Sequence, residues 1–153
     1  MSLLPFFDWC QQTALALAIR NSVWAAPVID ITHLIGLVML FGPVFILNLR
    51  LLGIGITSQS APELAAALRP WFWRGIAVSF ASGTCFFLAN AIKAYNVPPF
   101  YIKMAFLSIG LALQTTLVPA ATHWGGIRAR MTGALSLVVW FIVPIAGFWI
   151  ELY

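Results

Sequence analysis

Charge is scarce in this sequence. Only 8% of its 153 residues are charged, with four acidic residues against eight lysines and arginines. A soluble domain carries about 25% charged residues, so this chain cannot cover a water-exposed surface, and lipid must face much of it. The basic residues are few and scattered, which is typical of topology signals in membrane proteins and argues against a nucleic-acid partner.

Cysteines and catalytic motifs are scarce as well. The two cysteines, Cys10 and Cys85, lie far apart in different segments, which argues against a disulfide framework or a zinc site. The sequence has no glycine-rich phosphate loop, no H-E-x-x-H pattern and no nucleophile elbow. No two acidic residues are close enough in sequence to suggest a pair of catalytic carboxylates. We therefore expect a protein that is not an enzyme on its own.

Long apolar runs dominate what is present, because 62% of the residues are hydrophobic. A membrane-spanning helix needs about 20 apolar residues, and four runs provide that length. They cover residues 23–49, 75–95, 100–123 and 131–150. The runs are continuous and do not alternate with polar residues, which favours helices over a β-barrel. The sequence therefore predicts an all-α four-helix membrane bundle that forms a single domain over residues 1–153.

Two shorter helices are expected outside the spans. Residues 3–20 mix aromatic and apolar side chains with polar ones, which predicts a helix lying on the membrane surface. In the polar connection 53–74, Ser60 and Glu63 have the spacing of a capping box. This pattern predicts a short cytoplasmic helix between the first two spans, ending before Pro70.

Basic residues near the span ends predict the orientation. Five of them fall on one side of the membrane and three on the other. The larger group is Arg50, Arg69, Arg74, Arg128 and Arg130, and the smaller group is Arg20, Lys93 and Lys103. The larger group predicts the cytoplasmic side, so both termini should face outward.

Ionisable side chains inside the spans are the candidates for function, since each costs at least about 2.5–3.5 kcal/mol to insert. The candidates are Asp30, His33, Lys93 and Lys103, together with the amide Asn90. A helix rises about 1.5 Å per residue, so all of them should lie within roughly 13 Å of the outer span ends. We expect them to form one polar cluster in the outer leaflet. His123 should lie roughly 34 Å from that face and cannot join it.

The surroundings of His33 suggest a ligand for haem b or a metal. Asp30 at i−3 and Gly36 at i+3 lie on the same helical face. Gly36 would leave space for a flat macrocycle or for a closely packed helix. Asp30 could hold the second ring nitrogen of His33, and Lys93 or Lys103 could pair with haem propionates or with lipid phosphate.

His33 and His123 cannot be the two ligands of one haem, because they would differ in height by about 20 Å. A haem would need His33 as a sole ligand, a second ligand such as a methionine, or His33 from another subunit across a two-fold axis. A homo-oligomer or a larger membrane complex would supply that subunit, in addition to the lipid bilayer as partner.

Other roles for these residues stay open. His33 could form an interhelical hydrogen bond with Asp30 or Asn90, or act in a proton relay, and the two lysines could be anchors at the headgroups. Two hypotheses follow. In the first, the chain is a haem-b-binding electron-transfer accessory protein with His33 as axial ligand. In the second, it is a non-catalytic membrane subunit or a small transporter of a metal ion or solute, with Asp30 and His33 as a buried polar pair.

Short motifs carry a resemblance to a known family. The H-L-I-G-L stretch at 33–37 and the N-L-R-L-L-G stretch at 48–53 resemble a family of small bacterial inner-membrane proteins catalogued as a domain of unknown function. The resemblance extends to F-F-D-W at 6–9 and I-K-M at 102–104. It implies a surface helix and four spans in a bacterial inner membrane, hence periplasmic termini, and no established activity. Members of that family commonly have an aspartate before the arginine of the stretch at 48–53, and this chain has Asn48 instead. A looser similarity to copper-resistance proteins and cytochrome b-like bundles rests on an H-x-x-G pattern within a span.

Overall fold

The computed structural model describes residues 3–56 and 58–152, and the described residues fold into helices joined by short turns. In chain order the helices are α1 Leu4–Gln11, α2 Ala14–Asn21, α3 Ala25–Leu52, α4 Ala61–Ala89, α5 Ala91–Asn96, α6 Pro98–Thr115, α7 Leu117–Ala121 and α8 Gly126–Leu152. Four segments are long and apolar enough to cross a membrane, namely α3, α4, α6 with α7, and α8. The predicted all-α four-helix membrane bundle is confirmed.

Glycines set the distance between α3 and α4, which run antiparallel and pack along much of their length. A Cβ atom on Gly36 would lie 2.6 Å from Ser79 Oγ and 2.7 Å from the Ser79 backbone nitrogen. A Cβ atom on Gly75 would collide with backbone atoms of Met39 and Leu40. Glycine at both positions lets the two backbones touch, as small residues do between membrane helices.

The second helix pair is α6 and α8, and it joins the first pair mainly through packing of α3 against α8. Gly133 allows this approach, because a Cβ atom there would lie 2.9 Å from the Asn48 carbonyl oxygen. A cleft lies between α4 and α6. The centre of the bundle is filled by a buried layer of Leu40, Val44, Phe72 and Trp140.

Helix α4 is longer than the sequence predicts. The capping box at its start is present, since Ser60 Oγ accepts from the Glu63 backbone and Glu63 Oε2 accepts from the Ser60 backbone at 3.1 Å. The helix then continues through Pro70 to Ala89, so the expected short helix and the second span are one element. Pro70 is tolerated because it lies on the exposed side, where the carbonyl it frees on Ala66 stays accessible.

Other expected helices are interrupted by local chemistry. The segment 3–20 forms two helices, because Thr13 leaves the helical region and its hydroxyl caps α2. The run 75–95 breaks at Asn90, which has φ −130°. The run 100–123 breaks at Thr116, because Pro119 has no N–H to bond the Thr115 carbonyl.

The two N-terminal helices dock onto the bundle, α1 against α5 and α2 against α4. Gln11 fixes α1 at one point, because its side-chain oxygen accepts from the Ile92 backbone N–H at 2.9 Å. That N–H belongs to the first turn of α5, where no intrahelical acceptor exists. Phe7 adds an aromatic contact, with its ring 5.4 Å from Phe87 and 5.2 Å from Tyr95.

Candidate functional site

His33 lies near the end of the bundle where α3 begins and α8 ends, which we call the His33 end. The opposite end carries Arg50, Arg69, Arg128 and Arg130, and we call it the arginine-rich end. Arg74, which the sequence assigned to the same side, lies at mid-bundle, because α4 continues through it and its neighbour Gly75 contacts Leu40 of the central layer. His33 is half-buried and faces α4. Its Nδ1 atom lies 2.9 Å from the hydroxyl oxygen of Ser82, which is itself buried.

The Ser82 hydroxyl oxygen also lies 2.7 Å from the Val78 carbonyl oxygen, one turn earlier on α4. A hydroxyl has one proton, so when Ser82 donates it to that carbonyl, Ser82 Oγ accepts from His33 Nδ1–H. In this arrangement the neutral imidazole carries its lone pair on Nε2, because the bond made by one ring nitrogen fixes the role of the other.

The imidazole ring is held in place by its neighbours on α4. Phe86 packs against it edge-on, with the ring centroids 5.7 Å apart. Gly83 leaves room for the ring, since a Cβ atom there would lie 3.3 Å from His33 Cε1. The side chain is therefore positioned by a hydrogen bond, an aromatic contact and a glycine.

The structure places the predicted partners of His33 in different ways. Asp30 is exposed, and within residues 3–56 and 58–152 no hydrogen bond joins it to His33. Ser82 is the hydrogen-bond partner of His33 instead, because it lies opposite the ring on α4, whereas the Asp30 side chain is exposed. The charges of Asp30 and Lys103 nevertheless both act on His33.

Lys103 is a predicted residue that the fold brings to the same end of the bundle as His33 from another helix, and in the described residues no hydrogen bond joins the two. It is half-buried on α6 and lies against α8, where a Cβ atom on Gly147 would be 3.3 Å from the Lys103 ammonium nitrogen. The charge of Glu151, one turn further along α8, acts on Lys103. Asp30, His33, Lys103 and Glu151 thus lie at the same end of the bundle on three helices, and their charges act on one another without direct contact in the part of the chain that the structure describes.

The remaining predicted residues stand apart from this group. Asn90 is exposed, and its amide donates to the Phe86 carbonyl oxygen of its own helix at 3.3 Å. Lys93 is half-buried on α5, with no polar partner in the described part of the chain. Gly36 lies on the α3–α4 contact, so Ser79 fills the space beside it.

A single-chain metal or haem site finds limited support in this arrangement. In the described ranges, no group of three or more His, Cys, Asp or Glu side chains is close enough to hold a metal ion. His123 is exposed near the arginine-rich end, far from His33 along the bundle. A macrocycle stacked beside Gly36 would overlap Ser79. The macrocycle does not fit at that position.

A second polar group, which the sequence reasoning missed, is buried toward the arginine-rich end. Gln114 Oε1 accepts from the Asn48 amide at 3.4 Å and from the Ser136 hydroxyl at 3.3 Å. The Asn48 amide also donates to the Val44 carbonyl at 2.8 Å. Each of these polar residues lies inside a predicted span. Counting their depth from the arginine-rich ends, as for His33 from the other side, would have grouped them.

An apolar layer separates the two polar groups. His33 and Asn48 are fifteen positions apart on α3, which is roughly 22 Å along the helix axis. Between them lies the layer that contains Trp140, which is fully buried. Trp140 Nε1 and Asn48 Oδ1 are buried polar atoms without a hydrogen-bond partner in the described part of the chain.

Fold and composition together define the class of protein. Four apolar helices of membrane-spanning length, with exposed apolar side chains along them, make this chain a multi-pass integral membrane protein. The chain belongs to the family of unknown function DUF6644, which it matches over residues 6–153. Comparisons with curated proteins and with solved structures gave no match.

Proposed function

We propose that this protein is a small membrane transporter in which His33 accepts and releases protons. One observation carries the proposal: His33 Nδ1 lies 2.9 Å from the Ser82 hydroxyl, and when Ser82 donates to the Val78 carbonyl this contact leaves the imidazole lone pair on Nε2. A neutral imidazole held this way is a proton acceptor inside the bundle. Histidines and carboxylates buried among membrane helices are typical of proton relays.

The groups around His33 support the same role. Lys103 and Glu151 give the His33 end an ammonium and a carboxylate, both contributed by the other helix pair. The polar group of Asn48, Gln114 and Ser136 lies on the far side of the Trp140 layer. Polar groups at two depths with an apolar layer between them are suited to gated movement, because protons cannot cross the layer until it rearranges.

Proton flux into proteoliposomes tests the proposal. Vesicles that contain a pH-sensitive dye receive a potassium diffusion potential, and the internal pH is followed over time. We expect the protein to raise the flux above that of empty vesicles, and His33→Ala to remove most of the increase. His123→Ala is the matched control and should keep it, because His123 is exposed and distant. A wild-type flux equal to that of empty vesicles, or an unchanged flux in His33→Ala, would contradict the proposal.

Binding of haem b is a second proposal, and the same Nε2 lone pair favours it, since an axial ligand needs that nitrogen unprotonated. Because Ser79 fills the space beside Gly36, such a haem would have to lie elsewhere around His33, with Lys103 available for a propionate, or between two copies of the chain. An absorption spectrum of the purified protein tests whether haem is bound. A Soret band that disappears in His33→Ala supports haem, and a protein that stays colourless after haem is supplied excludes it.

We also propose a location in a bacterial inner membrane, with the arginine-rich end in the cytoplasm. The support is the excess of arginines at that end, because basic residues near span ends are retained on the cytoplasmic side. Both termini would then be periplasmic. A reporter that is active only in the periplasm should be active when it is fused after the C-terminus. Activity of a cytoplasm-only reporter at the same position would reverse the orientation.

A further inference from the structure

A cleft of about 300 Å³ lies between α4 and α6, on the arginine-rich side of the Trp140 layer. Its walls are mainly apolar and include Leu47, Leu68 and Phe72. Gln114 and Arg69 also line the cleft, and they are the groups able to recognise a polar ligand. Ligand pockets begin at about this volume, so the cleft has room for part of a lipid molecule.

Gln114 supplies an unused donor in this cleft. The residue is only 8% exposed, and its oxygen is already bonded to Asn48 and Ser136. Its amide N–H₂ group has no partner in residues 3–56 and 58–152. This group lines the cleft and is therefore available to donate to a carbonyl oxygen that enters it.

Arg69 supplies an unpaired positive charge at the edge of the same cleft. It is exposed, and the described residues offer it no hydrogen-bond or ion-pair partner. Two other arginines of the larger basic group are engaged: Arg50 donates to the Gln59 carbonyl at 3.0 Å, and Arg74 stacks 5.2 Å from the Trp71 ring centroid. Trp73 lines the cleft and is half exposed.

We propose that this cleft binds one anionic phospholipid. The phosphate pairs with Arg69, a glycerol-ester carbonyl accepts from the Gln114 amide, and an acyl chain covers the apolar wall. The cleft presents a counterpart for each of these three groups. A free phosphate would leave the apolar wall uncovered, and a zwitterionic lipid would bring its own cation beside Arg69 and offset part of the attraction. Binding does not depend on proton movement, because His33 and Ser82 lie on the other side of the Trp140 layer.

Native mass spectrometry of the purified full chain with added phosphatidylglycerol tests the proposal. We expect Arg69→Gln to weaken phosphatidylglycerol binding about fivefold and to weaken the weaker binding of phosphatidylcholine by less, because the choline cation already offsets part of its phosphate charge. Arg128→Gln is the matched control, since Arg128 is exposed at the same end but does not line the cleft. Gln114→Leu should weaken binding of both lipids, because both contain the ester carbonyl.

Three outcomes would overturn the proposal. Equal weakening by Arg69→Gln and Arg128→Gln would show general attraction to a basic surface. Phosphatidylcholine binding as tightly as phosphatidylglycerol would show that the cleft does not select an anionic lipid. Complete competition by inorganic phosphate would assign the site to a free anion. Arg69 is exposed, so Arg69→Gln should fold. The comparison of Arg69→Gln with Arg128→Gln therefore tests the proposal even if Gln114→Leu does not fold.

Discussion

At the scale of single residues, glycine and serine determine how α3 meets α4. Gly36 and Gly75 bring the backbones into contact, and the same contact places Ser82 opposite His33. The position of the imidazole therefore depends on residues that carry no ionisable group. Changes in these small residues should affect both the packing of the helices and the state of the histidine.

Gly75→Ala should destabilise the protein by about 1–3 kcal/mol, the usual cost of overpacking a close-packed site. The added methyl group would meet backbone atoms of Leu40 and Met39, which cannot move aside as a flexible side chain can. The free energy of unfolding, measured by denaturant titration in detergent, checks this. Gly147→Ala is the control and should cost much less, because its methyl group would meet the flexible end of Lys103.

Ser82→Ala should remove the interhelical hydrogen bond and cost about 0.6 kcal/mol, the average for such bonds in a membrane protein. The same change should lower proton flux, because the imidazole would lose the acceptor that fixes its tautomer. Thr84→Ala is the matched control, since the Thr84 hydroxyl bonds only to the Phe80 carbonyl of its own helix. Equal effects of the two substitutions on the flux would argue against the assigned role of Ser82.

At the scale of elements, side chains replace backbone hydrogen bonds where helices end or break. The capping box of Ser60 and Glu63 closes the start of α4. Gln11 does the same for α5 from a distant part of the chain, because the break at Asn90 exposes the first N–H groups of that helix. The N-terminal helices are therefore tied to the bundle by a specific bond in addition to apolar contacts.

Gln11→Leu should increase amide hydrogen exchange at Ile92 by about fivefold, since a lost hydrogen bond of roughly 1 kcal/mol opens the first turn of α5. Hydrogen exchange with residue-level readout gives the measurement. Gln12→Leu should leave Ile92 unchanged, because the Gln12 side chain bonds only to Asp8 on the surface. Faster exchange at Ile92 in both variants would show general loosening of α1.

At the scale of the whole molecule, bilayer thickness is the constraint that made the architecture predictable. Each span needs about 20 apolar residues, and the four runs in the sequence are long and separated by clear polar breaks. Depth arithmetic along those runs also placed His33 and Lys103 at the same end of the bundle. Both predictions use only position along the chain.

Contacts between helices were not predictable in the same way. Nearly uniform apolar helices carry little periodicity, so the sequence does not show which face meets which neighbour. The sequence therefore did not identify Ser82 as the partner of His33. The buried group of Asn48, Gln114 and Ser136 was missed because depth was counted only from the opposite span ends. Pro70 was expected to end a helix, but a proline on an exposed helix face does not do so.

The most direct test of the account is the tautomer of His33 in a bilayer. The chain has two histidines, so nitrogen NMR of histidine-labelled His123→Ala protein reports His33 alone. We expect a protonated, hydrogen-bonded Nδ1 and an unprotonated Nε2, with this preference lost when Ser82→Ala is added. A neutral ring with its proton on Nε2 in the presence of Ser82 would contradict the account.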